Sequence, residues 1–441
     1  MGRTQNQDTQ SQQQLPKLAN LCPELLRQIF GYFCLHCRGK QEYLTDNPEQ
    51  LAHLLRRSRF RDISRDILHH FLQKPLVQKS LPLFIRTIAS QRHLASSTKA
   101  VIFYCEQSPN ATENIESHAS TLPAELLFIL LALLPNCPHL ALNISAHQTY
   151  DQMQALEVLG VSSLPVRSLE LRGDFDLKWL STQLIPISPG LETLTLYTSL
   201  PLPEISSLKA LELRGFRLSP DQLDKILPSC TGSLKAFTYE ATHATSSHTD
   251  QLHRWQVQAS HIVSHLEKHR ASLELLHLDL RIRGFMSRDT KTDPMPHLEN
   301  FAALQELFLN SNSVRSTQNL EFPDEKSLTS FLPPNITSLT LVEPDFPPPP
   351  ERLKKGLLGL ANIRREQSRF PRLKRVACDA KNIFEESHTK DLLSQVGTGL
   401  QYKEFPKPDW AYDRLSSVDS PFISSMRDDD EDLPAAWFRD G

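Results

Sequence analysis

The chain has 441 residues, 39% of them hydrophobic and 7% aromatic, long enough for two or three domains with a sizeable core. A formal net charge of -3 excludes a nucleic-acid binder that works through a global positive field. The 31 prolines against 14 glycines disfavour glycine-rich linkers and phosphate loops, and favour many short elements that start and stop at proline.

Residues 1 to 14 are polar and glutamine-rich, and are expected to be disordered. They contain no apolar segment of the signal-peptide kind, and Asn6 stands where myristoylation of Gly2 would want Ser or Thr. Seven cysteines, an odd number in such a chain, point to reduced thiols and a cytoplasmic or nuclear setting.

Residues 15 to 75 have a helical pattern. In "LCPELLRQIFGYFC", Leu25, Leu26, Ile29, Phe30 and Phe33 recur on one helical face, with Pro23 in the first turn and Glu24 beside it to complement the helix dipole. "QLAHLLRRSRFRDISRDILHHFL" supplies one or two further amphipathic helices. The unit is too small to bury much by itself. Cys34 and Cys37 form a C-x-x-C around His36, but no second pair exists to complete a zinc site and no βαβ context suggests redox use.

From residue 76 the texture changes to a recurring L-x-x-L-x-L. Clear copies are "VRSLEL", "LETLTL", "LKALEL", "LKAFTY", "LELLHL", "LQELFL" and "ITSLTL"; weaker ones are "TKAVIF", "CPHLAL" and "LKRVAC". The last two apolar positions of each copy alternate as on a strand with one buried face. Helical segments separate the copies: "AELLFILLALLP", "SPDQLDKILPSC" and "ASHIVSHLEKHR". The second of these begins as a capped helix, with Ser219 as N-cap, Pro220 at the first position and Asp221 next. Most spacings are irregular, from 17 residues (Leu191 to Leu208) to 39 (Leu234 to Leu273), as in divergent repeats with insertions. Strand, turn, helix, turn is the pattern of a leucine-rich-repeat solenoid, an α/β architecture with a curved parallel sheet and outer helices. It is expected to run over residues 76 to 395.

The longest apolar run, "LLFILLALL", is far shorter than the roughly 20 residues that span a bilayer. His261, His265 and His269 are spaced to share a helix face and hold a divalent ion, yet Ile262, Val263 and Leu266 supply the buried face, so the histidines are expected on the wet side. Residues 344 to 350, "PDFPPPP", are expected as an extended loop. "RREQSRFPRLKR" is expected to turn a helix into a strand, and residues 396 to 441 to form a mostly disordered acidic tail. No G-x-S-x-G, Walker A, G-x-G-x-x-G or H-E-x-x-H motif occurs, so nothing supports an enzyme, a cofactor or a catalytic residue.

The pairing of the first helix with the repeats resembles fungal F-box proteins that carry C-terminal leucine-rich repeats. Leu21, Pro23, Glu24, Leu25, Leu26, Ile29, Phe30 and Phe33 stand in the order of an F-box opening, with Cys22 where a proline is usual. "RRSRFRDISRDIL" is similar to its later part, with Phe60 in the place of a tryptophan, after a longer spacer than usual. "LPLFIRTIASQRHLA" is similar to the segment that joins box to repeats. The resemblance implies a substrate adaptor of an SCF-type cullin-RING ubiquitin ligase. Those nine residues, Phe60 included, would dock the S-phase-kinase-associated linker protein, which bridges to the cullin, and the repeats would hold a protein substrate. No nucleic acid or membrane is implied as a partner. The departures at Cys22, Phe60 and the spacer leave open a second reading, a stand-alone leucine-rich-repeat scaffold with a degenerate box.

Overall fold

A computed structural model describes residues 24–26, 71–76, 81–104, 122–143, 160–172, 184–197, 202–216, 218–241, 257–281, 298–311, 324–343, 350–367, 369–384 and 387–405. The chain divides into two compact units, Met1–Gly190 and Leu191–Gly441. Both are α/β, and within each the strands pair in parallel, each with the next in the chain.

In the first unit the strands are β1 (Phe71–Leu76), β2 (Ala100–Tyr104), β3 (His139–Asn143) and β4 (Ser168–Arg172). Helices α1 (Leu81–Ser90), α2 (Arg92–Ser97) and α3 (Leu122–Leu133) connect the first three strands. Helices α1 and α3 pack together, burying Leu81, Phe84 and Ile88 from one and Leu127, Leu130 and Leu131 from the other. β1 corrects the helical expectation for residues 15 to 75. Its register slips between Leu72 and Leu76, and Pro75 lies in that stretch. A strand with a single paired neighbour among the described residues tolerates a residue that donates no hydrogen bond.

The second unit holds β5 (Thr193–Leu196), β6 (Ala210–Arg214), β7 (Ala236–Glu240), β8 (Leu275–Asp279), β9 (Glu306–Asn310), β10 (Ser338–Val342), β11 (Arg375–Cys378) and β12 (Gly399–Tyr402). Its helices are α4 (Pro220–Ile226), α5 (Ala259–Leu266), α6 (Ser327–Phe331), α7 (Pro350–Gln367) and α8 (Ser387–Gln395). All ten expected strands are present across the two units.

The repeats stack in register. Leu194, Leu211, Phe237, Leu276, Leu307, Leu339, Val376 and Leu400 pair in sequence from strand to strand. The first apolar residue of each copy, three positions earlier, is also buried: Leu191, Leu208, Leu234, Leu273, Leu304, Ile336 and Leu373. One slip of register would turn these rows out to solvent, so the apolar spacing fixes the pairing. The turns before the strands are tied by a repeated device. A single carbonyl accepts two N–H groups from the next copy: Glu192 O from Lys209 (2.7 Å) and Ala210 (2.9 Å), Lys209 O from Lys235 and Ala236, Lys235 O from Glu274 and Leu275, Glu274 O from Gln305 and Glu306.

Ser219 caps α4 as expected, its Oγ accepting from Gln222 N–H (3.2 Å) while Gln222 Oε1 accepts from Ser219 N–H (2.8 Å). The polyproline stretch ends differently from the expectation of a loop: Pro350 is the first residue of α7, where its missing N–H costs nothing, with Glu351 in the same turn. α7 comes close to the segment before it, since a Cβ on Gly359 would lie 1.8 Å from the Glu325 carbonyl oxygen. "RREQSRFPRLKR" turns helix into strand as expected, with Phe370 buried at a φ of 56° and Arg364 donating to the Leu373 carbonyl. β12 corrects the boundary at residue 395. Its Leu400 is buried in the ladder, although only one apolar residue of the motif marks the strand.

Candidate functional site: the open face of the second unit

Residues that alternate with the ladder leucines point to the opposite face of the sheet. Pairing sets them in rows. One runs Thr195, Glu212, Thr238, His277, Phe308 and Thr340; the next runs Arg214, Glu240 and Asp279, and Asn310 then pairs with Val342. The leucine spacing that builds the core thus fixes where the polar residues stand.

The rows carry a dense charged group. Arg214 bonds Glu212 at 2.9 Å and reaches Glu240 at 3.7 Å. Arg281, just beyond β8, grips Asp279 through Nε and Nη2, while its Nη1 lies 3.6 Å from Asp379 and donates to the Phe405 carbonyl at 2.7 Å. Burial pushes the Glu240 carboxyl above its ordinary value. The Asp279 and Glu212 carboxylates add to the rise, and Arg214 and Arg281 oppose it. Burial likewise raises Asp379. The His277 ring stacks on Phe308, the two planes nearly parallel and the centroids 3.9 Å apart, and Phe405 meets Phe308 edge-on at 5.5 Å. Burial, with help from Arg214 and Arg281, pushes His277 down to about 4, so the ring is neutral near pH 7. Its Nε2 is 3.8 Å from Glu240 Oε1, beyond hydrogen-bond distance.

Hydrogen-bonding capacity is left over here. Asn310 is 1% exposed; its Oδ1 accepts from Leu280 N–H at 2.8 Å, but its Nδ2 has no partner, nor does the neighbouring Ser311 Oγ. Neither row was singled out from the sequence. The signal was available at the third and fifth positions of "ALELR", "AFTYE", "LLHLD" and "ELFLN", which are polar or aromatic in every copy.

Of the expected docking residues, the structure describes Glu24, Leu25 and Leu26, which form helix. Leu26 is 1% exposed and Leu25 45%. Leu21, Pro23, Ile29, Phe30, Phe33 and Phe60 lie outside the described residues, as do Cys34 and Cys37. The three histidines are not brought together on a wet face. His261 is exposed, His265 pairs with Asp224 at 2.9 Å, and His269 is buried, which corrects its expected position. The α-helix ends at Leu266 and a tighter 3₁₀ turn, Glu267–His269, rotates His269 inward, where burial lowers its pKa. Among the described residues no group of three or more His, Cys, Asp or Glu side chains is placed to hold a metal ion. Cys137, Cys230 and Cys378 are buried free thiols pushed up to about 12, 11 and 12, so they stay protonated.

No protein-family model matches the chain, and no curated protein matches it. No helix among the described residues is long and apolar enough to cross a membrane.

Proposed function

We propose that the chain is a substrate-recognition adaptor of an SCF-type cullin-RING ubiquitin ligase and does no bond chemistry itself. The observation that carries this reading is the contrast between Leu25 and Leu26. Adjacent residues of one short helix divide their apolar surface, Leu26 to the protein's own interior and Leu25 to solvent. An exposed leucine inside an F-box-like motif is what a helix-docking surface requires. The parallel, in-register sheet is compatible with a leucine-rich-repeat solenoid, whose open face can vary without disturbing the leucine core. Rate enhancement would come from holding a substrate close to a ubiquitin-loaded enzyme. Such a role belongs in the cytoplasm or nucleus.

The test uses the full chain, because β1 lies in the sheet and a deletion through residue 75 would remove most of it. Wild type and Leu25→Glu are co-purified with the linker protein. Recovery with wild type and loss with the variant supports docking; no recovery with wild type favours the stand-alone scaffold.

A further inference from the structure

The open face of the second unit carries more carboxylates than guanidiniums in its charged group. Glu212 and Glu240 stand diagonally on neighbouring strands, and one guanidinium, Arg214, serves both. Side-chain exposure of Glu212, Glu240 and His277 is 23%, 12% and 28%, so a ligand atom can reach all three. The nearest imidazole is neutral and does not bond either carboxylate. In this charged group the carboxylates Glu212, Glu240, Asp279 and Asp379 outnumber the two guanidiniums, Arg214 and Arg281, and Arg281 is held by Asp279.

Two strands away, buried Asn310 keeps an N–H donor with no acceptor. Strand spacing puts Glu240 and Asn310 roughly 10 Å apart, about three residues of extended peptide. Between them stands the His277–Phe308 stack, each ring covering a face of the other, with Phe405 edge-on against Phe308.

We propose that the β6–β9 part of this face binds an extended segment of a partner protein that carries an arginine or lysine, the cation seated between Glu212 and Glu240 and a backbone carbonyl taken by Asn310 Nδ2. This deepens, and rests on, the reading of the chain as an interaction module, because it names the chemical class of the segment held. A guanidinium supplies the missing charge and pairs with a carboxylate through two parallel hydrogen bonds. Arg214 is both a neighbour and a competitor: it holds the carboxylates in place when no ligand is bound, and it also weakens their field.

The competitor role gives a variant whose effect cannot be mistaken for misfolding. Peptides of nine residues with a central Arg, Lys, Gln or Glu in otherwise randomised sequence are labelled and titrated onto the full chain without the linker protein. The Arg and Lys pools are expected to bind at least about tenfold more tightly than the Gln pool, and the Glu pool not measurably. Glu240→Gln should remove that preference, and Arg214→Gln should strengthen it. Equal binding of the four pools overturns the proposal, as does a basic preference that Glu240→Gln leaves intact or Arg214→Gln reduces. Glu240→Gln is also passed through the linker-protein co-purification. Normal recovery there shows that loss of peptide binding belongs to this face alone, whereas failure of docking in wild type leaves the peptide result standing.

Discussion

The His277 ring lies flat on Phe308 with Nε2 turned toward Glu240, and both titratable groups are held away from their ordinary values by burial. An unfolded histidine titrates near 6.5, while the folded His277 does so at about 4. Between those values the unfolded chain holds a proton that the folded chain lacks, so acidification through this window draws the protein toward unfolding. Glu240 acts in the opposite sense, since a raised carboxyl takes its proton first in the folded state. The two are separated by comparing wild type with His277→Gln. From pH 7 to pH 5 the wild-type Tm should fall further than the variant's; parallel pH profiles would show that His277 is not neutral in the fold. These residues were hidden in the sequence for a physical reason. Glu212, Glu240, His277 and Phe308 lie up to 96 positions apart, from Glu212 to Phe308, and only strand register makes them neighbours. His269 was misread for a related reason, because the switch from α to 3₁₀ geometry after Leu266 moves it a fraction of a turn into the core.

At the scale of elements, Ser219 and Gly359 mark two places where one residue sets an element's position. Ser219→Ala removes an acceptor from an N–H at the start of α4 and breaks a reciprocal pair, so a loss of about 1 kcal/mol is expected in urea unfolding with the slope unchanged. Gly359→Ala would improve helix propensity by about 1 kcal/mol in an open helix. Here the added Cβ meets the Glu325 backbone, and the net result should be destabilisation by about 1–3 kcal/mol, visible as a lower Tm. A stabilised variant would mean that α7 does not approach the Glu325 segment so closely. Elements were the most legible scale in the sequence. Ten strands were visible because nine place three apolar residues at fixed offsets and "TKAVIF" places two, Val101 and Phe103, and the structure buries all of them. β1 and β12 were not visible, because "FLQKPL" contains a proline and "GLQY" contributes a single buried leucine. Each completes pairing with its neighbour by backbone hydrogen bonds, which leave no mark on side-chain pattern.

For the molecule as a whole, the proposed adaptor has two working surfaces with different physical characters. At one, a helix keeps Leu25 exposed, and an apolar partner surface would relieve that exposure. At the other, rows of polar residues stand on a leucine framework whose pairing does not depend on them, so that Glu240→Gln should change what is bound without changing the fold. The exposure of Leu25 was not readable from the sequence, since Leu25 and Leu26 are the same residue type on the same helix; only packing distinguishes them. The most direct measurement is the affinity of the full chain for purified linker protein, taken by surface plasmon resonance on wild type, Leu25→Glu and Glu240→Gln. Wild type and Glu240→Gln should bind alike, with Leu25→Glu at least about tenfold weaker, the cost of placing a charge in an apolar contact. Equal binding by all three, or no binding by wild type, would contradict the adaptor role.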